Sequence, residues 1–178
     1  MAKSAQPDRE TKTLAIRLLE GQGVPFQTIA FPDSIHDALG VAEHAGLPPQ
    51  MVYKTLVVQV LDPATGNPSR NARPCLILIA ADRTLDLKRV ARELGAKKVQ
   101  MARQADAERL TGLKVGGISA LALLHRGFAV YIDERAGQLD EIVLSAGQRG
   151  VNLRMRVADF VRLTGADWIA ASADDPAG

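Results

Sequence analysis

From Val52 to Val60 the chain reads Val-Tyr-Lys-Thr-Leu-Val-Val-Gln-Val, and two-residue alternation predicts a strand with Lys54, Leu56, Val58 and Val60 on one face. Tyr53, Thr55 and Gln59 fall on the other face. Lys54 is the one charge on the apolar side. A lysine so placed is either a strand-end side chain that snorkels to water or a cation held at a partly desolvated site. A second apolar run, Cys75 to Ala81, predicts a neighbouring strand. The intervening segment, 62–74, holds three prolines, a glycine and two asparagines, which predicts an exposed hairpin loop.

Helical spacing of Leu14, Ile16, Leu18 and Leu19 predicts a helix over 12–22, stopped at Gly21 and Gly23. A short strand over 26–31 follows, then a helix capped by Asp33 or Ser34 that runs through Ala38, Val41 and Ala42 to Gly46. Further helices are expected over 86–94 and 104–110, with a short extended piece at 99–101 between them. Strands at 128–132, 141–145 and 153–155 and a final helix over 157–163 complete the pattern. Strands mixed with helices predict an α/β fold: a single compact domain with a mixed, largely antiparallel sheet flanked by helices.

A length of 178 residues with 47% hydrophobic content suits one domain. The expected organisation is a flexible tail over 1–13, a domain over 14–170 and a flexible tail over 171–178. Net charge is only +2, which marks no global nucleic-acid binder, but its distribution is uneven. From Arg83 to Lys114 nine Lys/Arg face four acids, a candidate phosphate-binding face or else a solvated helix surface.

The single cysteine, Cys75, has no internal partner and reads as a small core residue. The N-terminal segment lacks an apolar signal core and no stretch is long and apolar enough for a membrane span, so the chain reads as cytoplasmic, with no membrane association. His36, His44 and His125 show no metal-ligand spacing, and no metal or cofactor is expected.

Two glycine-containing turns could carry chemistry or be plain turns. Gly116-Gly117-Ile118-Ser119 permits positive φ and close approach, so that successive N–H groups could meet one carbonyl or oxyanion. Ser145-Ala-Gly147-Gln-Arg149-Gly150 offers a hydroxyl, backbone amides and a guanidinium, parts suited to phosphate or carboxylate. Neither matches a dinucleotide fingerprint or a phosphate loop, which disfavours nucleotide-dependent phosphoryl transfer.

Five ordered motifs then carry a resemblance that extends from Leu14 to about Ile169: Val52-Tyr-Lys-Thr-Leu56, Asp86-Leu-Lys-Arg-Val90, Leu94-Gly-Ala-Lys-Lys-Val99, Thr111-Gly-Leu-Lys-Val-Gly-Gly-Ile-Ser119 and Ser145-Ala-Gly-Gln-Arg-Gly150. The chain resembles the YbaK/EbsC-type aminoacyl-tRNA deacylases, relatives of the editing domain of bacterial prolyl-tRNA synthetases. The resemblance implies a trans-editing hydrolase of mischarged tRNA, most readily Cys-tRNA(Pro), with prolyl-tRNA synthetase as a candidate partner. It implies Lys54 as the central cation, acting electrostatically. Phe31, Thr55, Gly116, Gly117, Ile118, Ser119, Ser145, Gly147 and Asn152 would bind the substrate, and Lys88, Arg92, Lys97, Lys98 and Arg149 would meet the tRNA.

The chain has no Ser-His-Asp arrangement, so the attack should come from the substrate's own thiol or from a water assisted by the ribose hydroxyl. Three positions depart from the cysteinyl pattern: Phe31 in place of tyrosine, Ala120 in place of proline and Asn152 in place of aspartate. They leave another small amino acid, such as alanine, as an alternative. A tRNA-binding accessory without turnover and a small-ester hydrolase are the rival classes.

Overall fold

The computed structural model describes residues 12–174. In chain order its elements are α1 (Leu14–Gly21), β1 (Phe26–Ala30), α2 (Ala38–Ala45), β2 (Tyr53–Val60), β3 (Cys75–Ala80), α3 (Leu87–Glu93) and β4 (Val99–Met101). There follow α4 (Gln104–Thr111), β5 (Ala129–Asp133), β6 (Glu141–Gln148), β7 (Val151–Arg156), α5 (Val157–Thr164) and β8 (Asp167–Ile169). The expected α/β domain is present, and its strands divide between two sheets. A three-stranded sheet runs β1-β7-β6 and a five-stranded sheet runs β4-β2-β3-β5-β8. All pairings are antiparallel except β3–β5 and β5–β8. Sequence patterning had left β8 unassigned, since three residues are too few for a period to register.

β2 and β3 pair from Tyr53↔Ala80 to Val58↔Cys75, which sets Lys54 opposite Ile79. Both faces of β2 are covered. Tyr53 and Val57 pack into the main core with Leu19, Leu144 and Phe160, while Val58 belongs to a second core built with Ile77, Val90 and Val99. The expected polar face is therefore corrected: Tyr53 is 3% exposed and Gln59 9%. Alternation tells which residues share a face, and a sheet packed on both sides has no solvent face to report.

Local chemistry explains the helix ends. The oxygen of Thr13 accepts from the Ile16 N–H to open α1, and Asp86 accepts from the Arg89 N–H to open α3. The cap of α2 is Asp37, accepting from the Gly40 N–H at 2.6 Å, in place of the expected Asp33 or Ser34. The helix starts later because Asp37 is the residue with extended backbone whose carboxylate meets the Gly40 N–H. Cys75 is buried, and burial pushes its thiol up, as befits a core residue.

The expected flexible segment 171–178 is bonded to the body where it begins. Asp86 N donates to Ala171 O, Ala173 N donates to Thr84 O, and Ser172 N donates to Asp133 Oδ2 at 2.8 Å. Ser172 is 2% exposed. Buried backbone groups need partners, and this segment finds them in the loop before α3 and at the end of β5. The expected N-terminal tail lies, over 1–11, outside the described residues, as does 175–178.

Candidate functional site

The two sheets pack on each other through the main core and are linked by an isolated bridge, Val52 to Val143; a cavity of about 210 Å³ is walled by residues from both. β2 supplies Tyr53, Lys54, Thr55 and Leu56 to the wall. The segment leading into α2 supplies Ile35, His36 and Asp37. Val115, Gly116 and Ile118 close another side, and the β6–β7 hairpin contributes Ser145 and Asn152, which are cross-strand partners.

Lys54 is half-buried, and its Nζ donates to the Ala81 carbonyl oxygen at 3.4 Å. Burial lowers its pKa from the ordinary lysine value, while the carboxylates of Asp82 and Asp37 push back toward the charged form. Of the two readings of Lys54, the snorkelling end and the partly desolvated cation, this environment fits the second. Beside it, Oγ1 of Thr55 and Oδ1 of Asp82 are buried without a hydrogen-bond partner. Polar atoms left so are costly, and clusters of them mark places that wait for a ligand or serve electrostatics. Burial drives the Tyr53 phenol well up, the Asp133 and Asp82 carboxylates adding to the effect, so Tyr53 offers a neutral hydroxyl.

Of the nine expected substrate-binding residues, Thr55, Gly116, Ile118, Ser145 and Asn152 line this cavity with Lys54. Four lie elsewhere. Phe31 is buried in an apolar cluster with Val41, Val52 and Val143. Ser119 is fully buried, its Oγ accepting from the Ala122 N–H at 3.4 Å. Gly117 and Gly147 border a second cavity of about 520 Å³, together with Lys114 and Arg149.

The two-amide arrangement expected of Gly116-Gly117 is also corrected, because the Gly117 N–H closes a turn onto Lys114 O at 2.8 Å. Ser145 and Asn152 face each other across a bulge between Ser145 and Gln148, where the Gly147 N–H donates to Ser145 Oγ at 3.1 Å. The bulge makes the 145–150 motif part of a β-hairpin.

Of the basic residues, Lys88, Arg92, Lys97 and Lys98 are exposed. Lys98 O accepts from Leu61 N, seven residues along β2 from Lys54, which at about 3.3 Å per residue places it roughly 20 Å from the cavity. Arg89 is committed to Asp86, Ser172 and Asp174, and Arg83 to the Asp174 carbonyl. Arg149 turns inward, its Nε donating to Val115 O at 2.7 Å. Asp37, Asp82 and His36 escaped the sequence reading. For Asp82 the only signal was a carboxylate directly ending the apolar run Cys75–Ala81, and Lys54, whose charge it favours, is distant in sequence.

A family model described as the aminoacyl-tRNA editing domain matches residues 33–163, the span that builds this cavity. The chain belongs to the aminoacyl-tRNA editing domain family. Members are enzymes that hydrolyse the aminoacyl-tRNA ester, and that is the activity class of this editing domain. It is 32% identical over 162 residues to EbsC of Enterococcus faecalis, described as a candidate Cys-tRNA(Pro)/Cys-tRNA(Cys) deacylase, covering 90% of this chain and 93% of that protein. It is 28% identical over 153 residues to the multifunctional Ser/Thr-tRNA deacylase ProXp-y of Escherichia coli K12, covering 83% of this chain and 84% of that one. The crystal structure of a candidate trans-editing enzyme for prolyl tRNA synthetase superposes with a TM-score of 0.71 at 23% identity, over 90% of this editing domain's chain and 97% of that one. Among the described residues no helix is long and apolar enough to cross a membrane.

Proposed function

We propose that this editing domain deacylates mischarged tRNA in trans, with Cys-tRNA(Pro) as its first substrate and Lys54 acting as a fixed cation. The observation that carries the proposal is the cavity at the sheet junction: small, walled by Val115, Gly116 and Ser145, and holding a half-buried ammonium. A cavity of about 210 Å³ suits a small aminoacyl group. The cation stabilises negative charge that develops on the ester as it is attacked, and such a charge counts for more where water is scarce. The attacking group is the substrate's thiol or a water. If the thiol attacks, a C–S bond forms as the C–O bond to the tRNA breaks, the 3′-oxygen takes up the thiol proton, and water then opens the cyclic thioester to the free amino acid. If water attacks, the same C–O cleavage gives the free amino acid and the 3′-hydroxyl directly.

The exposed basic residues Lys88, Arg92, Lys97 and Lys98 suit the phosphates of an acceptor stem that approaches from the α3 side. In trans, a prolyl-tRNA synthetase would hand over the mischarged product. The likeness to EbsC supports cysteine, while ProXp-y directs attention to serine and threonine as competitors. Asn152 in the wall keeps a neutral amide where such side chains would lie. The deciding experiment measures amino-acid release from cysteinyl-, alanyl-, seryl- and threonyl-tRNA, with wild type and Lys54→Ala in parallel. Release of cysteine from tRNA(Pro) that requires Lys54 is the expected result. Preference for another amino acid would reassign the substrate, and tRNA binding without turnover would make the chain an accessory.

A further inference from the structure

Val115 is gripped by both of its backbone groups. Its N–H donates to Oε1 of Glu108 at 3.1 Å, and its carbonyl oxygen accepts from Nε of Arg149 at 2.7 Å. Glu108 lies on α4 and Arg149 at the β6–β7 turn, so the loop between α4 and residue 118 is held from two distant elements. The Val115 N–H is the largest cause of the lowered pKa of Glu108, followed among the attractive causes by Gln104 and Lys114, and the carboxylate is therefore charged when it accepts. These are charge-assisted bonds, roughly twice as strong as neutral ones.

The grip has a direction. Every described peptide is trans, and a trans peptide sends its N–H opposite to its C=O. Arg149 draws the Val115 carbonyl toward the second cavity, which Arg149 borders and Val115 does not. The N–H of the same peptide belongs to Gly116 and so turns away from the Arg149 contact, and Val115 and Gly116 both line the Lys54 cavity. Gly116 is also the residue that can follow this path: φ is +89°, and a Cβ would stand 2.9 Å from His36 O. With the Gly117 N–H spent on Lys114 O, the Gly116 N–H is the amide of the pair left for a ligand.

We propose that Glu108 and Arg149 are positioning residues that hold the Gly116 N–H as a hydrogen-bond donor to the ester carbonyl, opposite Lys54. The inference rests on the deacylase reading above. It reassigns Arg149 from the tRNA surface to the reaction, and it adds Glu108, which no motif singled out. Misplacing an oriented donor by about 1 Å costs up to about 10²-fold in rate.

The test compares Glu108→Ala, Glu108→Gln, Arg149→Ala and Arg149→Lys on whichever aminoacyl-tRNA the wild type deacylates, with amide exchange at Val115 as an independent readout. Glu108→Ala and both Arg149 variants should lose about 10- to 100-fold in kcat with KM changed less than about threefold. Glu108→Gln keeps an acceptor oxygen for the Val115 N–H and should recover most of the loss. A merely structural role would lower the melting temperature and the folded fraction while leaving kcat per folded molecule unchanged. Faster exchange at Val115 with unchanged kcat would overturn the inference while leaving the deacylase reading intact. If the wild type turns over no aminoacyl-tRNA, the functional reading fails, and exchange alone judges the grip: protection at Val115 lost in Glu108→Ala supports it and protection retained overturns it.

Discussion

Lys54 offers the sharpest prediction, because a fixed cation and a general base have opposite pH signatures. A unit charge about 4 Å from a developing oxyanion, at an effective dielectric of about 20, contributes about 4 kcal/mol. That energy corresponds to about 10³ in rate. The Asp37 and Asp82 carboxylates draw on the same charge and lessen it. Lys54→Met, which keeps an apolar stem in a wall that also holds Leu56 and Val41, should therefore lose about 10²- to 10³-fold in kcat while tRNA still binds.

The pH dependence follows from burial, which lowers the Lys54 pKa. The ammonium is lost at a pH below that of an exposed lysine, so kcat should fall along an alkaline limb beginning below 10.5. A lysine serving as base would make kcat rise over the same interval. Stability moves the other way from activity. Between the lowered folded pKa and the ordinary value the unfolded chain binds more protons, so stability rises with pH there. Lys54→Arg keeps its charge throughout and should push the limb out of range, at reduced amplitude because a planar fork replaces a point charge. The assay is single-turnover release of labelled amino acid across pH, corrected for spontaneous ester hydrolysis. Lys54→Met retaining kcat within about threefold, or a wild-type rate that climbs along the limb, would refute the electrostatic role.

Gly117→Ala should unfold more easily, since its Cβ would sit 2.9 Å from Arg149 N and 3.0 Å from the carbonyl carbon of Gln148, both backbone. Overpacking of about 1–3 kcal/mol, at about 2–4 °C per kcal/mol, predicts a fall in Tm of about 2–12 °C by calorimetry. Thr55→Val removes a buried hydroxyl that has no partner and should leave Tm unchanged or raise it by a few degrees, while a rise in KM would mark Thr55 as a substrate contact. Replacing Lys88, Arg92, Lys97 and Lys98 by glutamine should weaken tRNA binding and flatten the slope of log K against log salt by about 0.7–0.9 for each phosphate no longer neutralised, read by filter binding from low to high salt. An unchanged slope would make that face a solvated surface.

Much of the secondary structure was legible because its causes are local. The 14, 16, 18, 19 spacing, the proline-rich 62–74 loop and the apolar runs of β2 and β3 each carry their signal within about ten residues. Where local signals compete, the reading failed. Asp33, Ser34 and Asp37 are all acceptable caps by chemistry, and the backbone path into α2 places Asp37 at the cap. The resemblance implies substrate contacts for Phe31, through its place in the cysteinyl pattern, and for Ser119, through its motif; packing puts both into the core, because a family pattern preserves a fold as well as a site.

By itself the sequence determined an α/β chain with a charged residue on an apolar strand face, and its motifs determined the family. Those properties depend on residue type and short-range spacing. Only the tertiary structure decided that the strands form two sheets joined at Val52–Val143, that both faces of β2 are covered, and that Asp37 and Asp82 converge on Lys54. It also decided that Arg149 turns inward to Val115, 34 residues away in the chain. Burial and electrostatic coupling are set by distances in space between segments that alternation cannot place relative to one another. The electrostatics of Lys54 therefore became readable only once the chain had closed around it.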